Sequence, residues 1–493
     1  MQNDLKSNSL IYKNLNFLKE FAINHLLTTI KRLLTSLIKF IKNSLRIINS
    51  GDLLVPDYYF TPVLITAFPD DKGKVMTTSA AVGQGYAFIL PPEIPTQQGP
   101  MGILYDFNDG ARLLLPAGNW RVEISDDETG NILFADDVAQ GWVISTKKYY
   151  VPFRLRVWDG VQSEPVLDHT LDMRGKTVLV SFPSGTLGDL VGWVPYAERF
   201  RQTWQCHVDC TMAQPIVDLF TPVYPQLNFY TPDDWQAGPG VSAPPYASWR
   251  VGLFFHGDLD KQPFDFRAVG LHRTAGHILG VDPTEIVPDL RQRSPRRIAE
   301  PYVCIATQST SQAKFWNNGN GWHEVIAWLK EQGYRVLCID KERVVGRGYV
   351  WNKIPHGAED FTGNLPLAER VALLEHADFF IGLGSGLSWL AWGSRIPVVL
   401  ISGFSLPYSE FYTPWRVINT HVCNGCWDDV RLDFDHQDYF WCPRHKGTDR
   451  QYECTRFITG KQVIGHLRRL VALRSNPFGI KTTALADPDQ HAA

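Results

Sequence analysis

Four cysteines near the C-terminus carry the clearest chemistry in the chain: Cys423, Cys426, Cys442 and Cys454, spaced Cys-x2-Cys-x15-Cys-x11-Cys. Four thiolates in two arms can close a tetrahedral cage around zinc or iron. The first pair has the spacing of a metal knuckle, and the stretch 421–456 is rich in polar and turn residues, as suits a small module that needs a staple. Four sulfurs leave no open coordination position, so such an ion would be structural. His421, His436 and His445 are further donors in the same stretch. Cys206, Cys210, Cys304 and Cys338 are scattered, and Cys206 and Cys210, not spaced as a metal pair, read as buried thiols. This is not the pattern of a secreted disulfide framework, and it places the protein in a reducing cytoplasm.

Two glycine turns suggest phosphate and sugar chemistry. In the first, Asp378 to Leu383 reads as a buried strand, Gly384-Ser385-Gly386 as a tight turn that leaves no bulk over it, Leu387 to Trp392 as a helix, and Pro397 as the opening of a second strand. A glycine turn feeding a helix offers unpaired N–H groups and the positive end of the helix dipole to an anion. In the second, Thr177 to Phe182 reads as a strand, followed by a loop holding Thr186, Leu187, Gly188 and Asp189 and then a helix from Leu190. Asp189 in a cleft-facing loop can serve as a general base for a hydroxyl; the same position equally suits a cap over Leu190 and Val191. Lys314 follows another strand, Tyr302 to Thr307, where its ammonium can neutralise a leaving diphosphate.

These groups need two open α/β units to hold them, since such sheets bind ligands beyond the carboxyl ends of their strands. The chain has 493 residues, enough for two or three domains, with 44% hydrophobic and 20% charged residues as in ordinary soluble proteins. It divides into a basic amphipathic helical extension over 1–50, an antiparallel β domain over 51–175, a first α/β half over 176–297, a second over 298–475 that contains the module 421–456, and a tail over 476–493. The net charge of −3 hides an asymmetry, for residues 1–50 carry eight Lys or Arg against two acids. A helix of that kind can lie on an anionic membrane surface, giving peripheral contact, or dock on its own protein. No run is long enough to span a bilayer, and nothing calls for nucleic acid.

Between Lys176 and Leu470 the chain resembles the bacterial autotransporter heptosyltransferases. The likeness is carried by Ser184-Gly185-Thr186-Leu187-Gly188-Asp189, by Ser311-Gln312-Ala313-Lys314-Phe315-Trp316-Asn317-Asn318, and by the cysteine module with its Phe440-Trp441-Cys442-Pro443-Arg444-His445-Lys446-Gly447-Thr448 run. The turn at 384–386 is similar to the donor-site motif of lipopolysaccharide heptosyltransferases, whose usual Asp-Ser-Gly stands here as Gly384-Ser385-Gly386. The resemblance implies a GT-B pair of Rossmann-type halves that moves heptose from ADP-heptose to serine hydroxyls of an autotransporter adhesin. It implies Asp189 as base, Lys314 on the diphosphate, iron (or zinc) on the four cysteines, and a large homo-oligomer. Thr186, Leu187, Gly188, Gly384, Ser385, Gly386 and Leu387 are then expected to line the substrate site. The rival readings are transfer to lipopolysaccharide, and a non-catalytic scaffold with a vestigial cleft.

Overall fold

The computed structural model describes residues 88–475, except 161, 184, 185, 256 and 257. The expected helical extension, the start of the β segment, the tail, and Ser184 and Gly185 lie outside the described residues.

The second half has the clearer topology. Strands β13 (Tyr302–Ile305), β14 (Arg335–Cys338), β17 (Glu359–Asp360), β18 (Phe380–Leu383), β19 (Val398–Ile401) and β20 (Arg416–Val417) form one parallel sheet in the order β17-β14-β13-β18-β19-β20. That is the 3-2-1-4-5-6 order of the dinucleotide-binding fold, which reverses direction between its first and fourth strands. Every residue of β18 and β19 is buried, as helices on both faces require. Helices α4 (Gly321–Glu331), α5 (Leu367–Leu374), α6 (Gly386–Gly393) and α7 (Gly460–Ser475) complete this half. A hairpin of β15 (Val344–Arg347) and β16 (Val350–Lys353) projects from it.

The first half repeats the theme. Strands β9 (Thr177–Ser181), β10 (His207–Thr211), β11 (Asn228–Tyr230) and β12 (Ala247–Arg250) pair in parallel in the order β11-β10-β9-β12. Helix α1 (Leu187–Trp204) starts three residues earlier than the reading from Leu190. Helices α2 (Gln214–Phe220) and α3 (Arg273–Leu279) follow.

The segment expected as an antiparallel domain of its own divides between two sheets. Strands β4 (Trp120–Asp126), β5 (Ile132–Val138), β7 (Phe153–Asp159) and β8 (Leu167–Thr170) form a four-stranded antiparallel sheet. Its first hairpin turns at Gly130, whose φ of 73° suits glycine. Strands β1 (Gln97–Gln98), β2 (Leu104–Asn108), β3 (Arg112–Leu115) and β6 (Gly141–Ile144) instead extend the first α/β sheet, because β2 pairs in parallel with β12. The reason is an open edge: β12 would otherwise leave one row of backbone groups unpaired. Asp106 and Arg112 pin the β2–β3 hairpin through a buried bidentate pair, at 2.6 and 2.7 Å. One core then runs from Phe107 through Val178 and Val191 to Trp389 and Leu390, across both halves.

Candidate active site

Both sheets present their switch points to one cleft of about 1080 Å³. From the first half, α1 begins just beyond the end of β9. From the second, the loop after β13 carries Lys314 and the turn after β18 carries Gly384-Ser385-Gly386. Thr186, Leu187, Gly188, Asp189, Lys314, Gly384, Ser385, Gly386 and Leu387 all line this cleft.

Asp189 is the third residue of α1, and Thr186 holds the cap position. The alternative of Asp189 as the helix cap is therefore corrected: Thr186 donates its hydroxyl to Asp189 Oδ2, so the cap orients the acid. One face of Asp189 is open to the cleft while protein surrounds the rest. Burial pushes its carboxyl up to about 7, and the charge of Lys314 opposes that rise. Two helix starts meet here. A β-carbon on Gly386 would fall 2.9 Å from Leu187 Cβ, so α6 and α1 approach almost backbone to backbone.

Neither Gly384 nor Gly386 takes a positive φ. Glycine is required there for space, not for a left-handed turn. At position 384 a β-carbon would lie 2.4 Å from Glu410 Oε1. Ser385 caps α6 with extended backbone, yet its hydroxyl, buried, has no hydrogen-bond partner among the described residues.

Lys314 ends a short 3-10 turn, Gln312–Lys314, and its Nζ stands 5.3 Å from the ring centre of Phe404 and 5.6 Å from that of Trp427. Burial lowers the ammonium's pKa, and the charges of Asp189 and Glu410 oppose that shift. The cysteine module and the residues just after it fix this loop. Gln312 N–H donates to Tyr439 O at 2.9 Å, and the Asn317 amide donates to Thr455 Oγ1 at 2.8 Å. Trp316 Nε1 donates to Ile458 O at 2.8 Å, and the Asn318 amide to Arg456 O at 3.0 Å. The polar residues of the Ser311–Asn318 stretch thus serve to hold Lys314 over the cleft.

The module's thiols share one neighbourhood. Cys426 and Cys454 are each pushed up to about 12, first by burial and then by the other thiols of the group. All four cysteines are free; Cys426 and Cys442 are buried, Cys423 and Cys454 half-buried. A second donor set overlaps them: ligand atoms of Cys423, His445 and Glu453 lie within 4.8 Å of one another. Glu453 is already engaged, accepting from Cys423 N–H at 2.9 Å and from Arg450 at 2.7 Å. His436 lines the cleft instead.

Asp340 and Glu410 are among the cleft carboxylates that escape the sequence reading. Asp340 follows β14 and accepts from Thr307 N–H at 2.8 Å, Thr307 Oγ1 at 2.9 Å and Gln308 N–H at 3.2 Å, which clamps the loop leading to Lys314. Its place at a strand end was the signal that could have found it. Glu410 comes from an irregular stretch with no such signal.

Comparison with known proteins fits this geometry. The model for family 9 glycosyltransferases (heptosyltransferases) matches residues 281–435, and that for the N-terminal domain of glycosyltransferase TibC matches residues 99–161. The autotransporter heptosyltransferase BAHTCr of Citrobacter rodentium is 64% identical over 385 residues, spanning 78% of this chain and 93% of that protein. The chain belongs to the autotransporter heptosyltransferase family. TibC of Escherichia coli is 63% identical over 78% of this chain and 93% of that protein. The TibC crystal structure, described as iron-containing and dodecameric, superposes with a TM-score of 0.75 over 78% of this chain and 99% of that one, at 62% identity. TibC has also been solved with ADP-D-beta-D-heptose. The family includes BimC of Burkholderia thailandensis, named an inactive autotransporter heptosyltransferase, 39% identical over 78% of this chain and 89% of that protein. No described helix is long and apolar enough to cross a membrane.

Proposed function

We propose that this chain transfers heptose from ADP-heptose to serine hydroxyls of an autotransporter adhesin, with inversion at the anomeric carbon. The observation that carries this reading is that Asp189 and Lys314, one from each half, line the same cleft and act electrostatically on one another. The diphosphate is held by Lys314 and by free N–H groups at the start of α6. As the serine oxygen attacks, its bond to the anomeric carbon forms and the bond to the diphosphate oxygen breaks. Asp189 takes the serine proton, and ADP leaves with its new charge matched by Lys314. A carboxyl near 7 is poised for this at neutral pH, where the basic form and a useful proton affinity coexist.

In this reading Cys423, Cys426, Cys442 and Cys454 would hold one iron (or zinc) ion, and that cross-link would brace the wall that carries Trp427 and Tyr439 against the Lys314 loop. The scattered spacing of Cys206, Cys210, Cys304 and Cys338 fits a reducing cytoplasm, and the dodecameric relative supports assembly into a homo-oligomer. The test incubates purified protein with ADP-heptose and an adhesin passenger fragment and weighs the fragment. Mass increments of one heptose each, lost on alkaline elimination from serine, are expected. An unchanged mass would overturn the proposal.

A further inference from the structure

We propose that Glu410 reads the hydroxyls of the sugar being transferred, its carboxylate filling the place that a side chain at position 384 would take. This deepens the reading above and rests on it. Glu410 is almost fully buried, at 6% exposure, yet lines the cleft. Its Oε2 accepts from Ser405 Oγ at 2.9 Å and pairs with Arg416 Nη1 at 2.7 Å. Its Oε1 sits over the Gly384 turn, while the contacts with Ser405 and Arg416 both fall on Oε2. A buried carboxylate with one oxygen locked and the other open is a rigid acceptor for hydroxyl groups.

The surroundings fix where it points. Ser409 O accepts from Leu271 N–H at 2.8 Å, and Tyr408 Oη donates to Arg267 O at 2.9 Å, so the first half holds the loop that carries Glu410. The charge of Glu410 acts on Lys314, as does that of Asp189. A sugar whose diphosphate rests on Lys314 and whose reacting carbon faces Asp189 therefore lies within reach of Glu410. Glycine at 384 is then a condition of the arrangement, since any side chain there would occupy the same space. A carboxylate accepts from two hydroxyls, whereas the amide of glutamine turns one acceptor into a donor.

The experiment compares Glu410→Gln with wild type by calorimetric titration with ADP and with ADP-heptose. ADP affinity is expected to stay within about 3-fold, while ADP-heptose affinity falls about 10- to 100-fold. The preference for ADP-heptose over ADP-glucose narrows with it. Equal losses for both ligands, or no loss for either, would overturn the proposal. Should the variant fail to fold, wild-type protein with ADP-heptose analogues carrying fluorine in place of single hydroxyls decides the matter. At least one analogue is expected to bind about 10-fold more weakly, and uniform affinity across the series would overturn the proposal. These readouts are binding constants, so absence of transfer by wild type would sink the transferase reading while Glu410 is still judged by affinity.

Discussion

Trp389 lies so close to Gly188 that a β-carbon at position 188 would fall 2.7 Å from its Cδ1. The same indole faces Gly192, where a β-carbon would meet Trp389 Cζ3 at 3.0 Å and His272 Cβ at 2.9 Å. The two helices that open on the cleft are thus keyed together by one tryptophan in a glycine groove.

Gly192 lies away from the substrate loop, so Gly192→Ala tests this key alone. The added methyl must push Trp389 or His272 aside, at about 1–3 kcal/mol. A lowered denaturation midpoint is expected, with heptose transfer reduced while isolated ADP binding is kept. Unaltered stability would show that the helices part freely.

Asp189→Asn is expected to fold, bind donor and transfer less than about one hundredth as fast as wild type. For wild type, kcat/KM rises with pH through a midpoint near 7, as the carboxyl loses its proton. Stability moves the opposite way. The folded pKa stands above the ordinary value of 3.8, so the native protein holds a proton that the unfolded chain releases between about pH 4 and 7. Stability falls as pH rises through that window. Thermal melts should therefore find Asp189→Asn favoured over wild type more at pH 8 than at pH 5.

Lys314 opposes the upward shift of Asp189, and its removal lets the carboxyl climb further. Lys314→Met is expected to move the midpoint of the acid limb upward. It also lowers kcat about 100-fold through lost stabilisation of the leaving diphosphate. A lowered rate with an unmoved midpoint would mean that the two charges do not meet in solution.

Metal analysis separates the two donor sets of the cysteine module. On the proposal that the four cysteines hold one iron, Cys426→Ser is expected to abolish iron binding, and His445→Ala to keep it. Because Gln312 leans on Tyr439 and Asn317 on Thr455, loss of the ion should also weaken ADP-heptose binding. Retained iron in Cys426→Ser together with its loss in His445→Ala would assign the ion to the other set.

What could be read beforehand was what sits at strand ends. Asp189, Lys314 and the turn at Gly384 each follow a short apolar run, and the strand order brings those ends to one place. That glycine at 384 spares bulk over the turn was legible, but the group that needs the space was not: it is Glu410, 26 residues later, in a stretch with no period to betray it. The merging of β2 with β12 was equally hidden, since hydrophobic alternation marks a strand but not its distant partner.

That pairing has a cost during synthesis. Residues Leu104–Asn108 leave the ribosome about 140 positions ahead of Ala247–Arg250, the strand they must join. At typical elongation speeds of about 5–20 residues per second the delay is roughly seven to thirty seconds. For that interval the nascent chain carries a strand with a bare edge, which a chaperone or a sister nascent chain can seize before its own sheet closes.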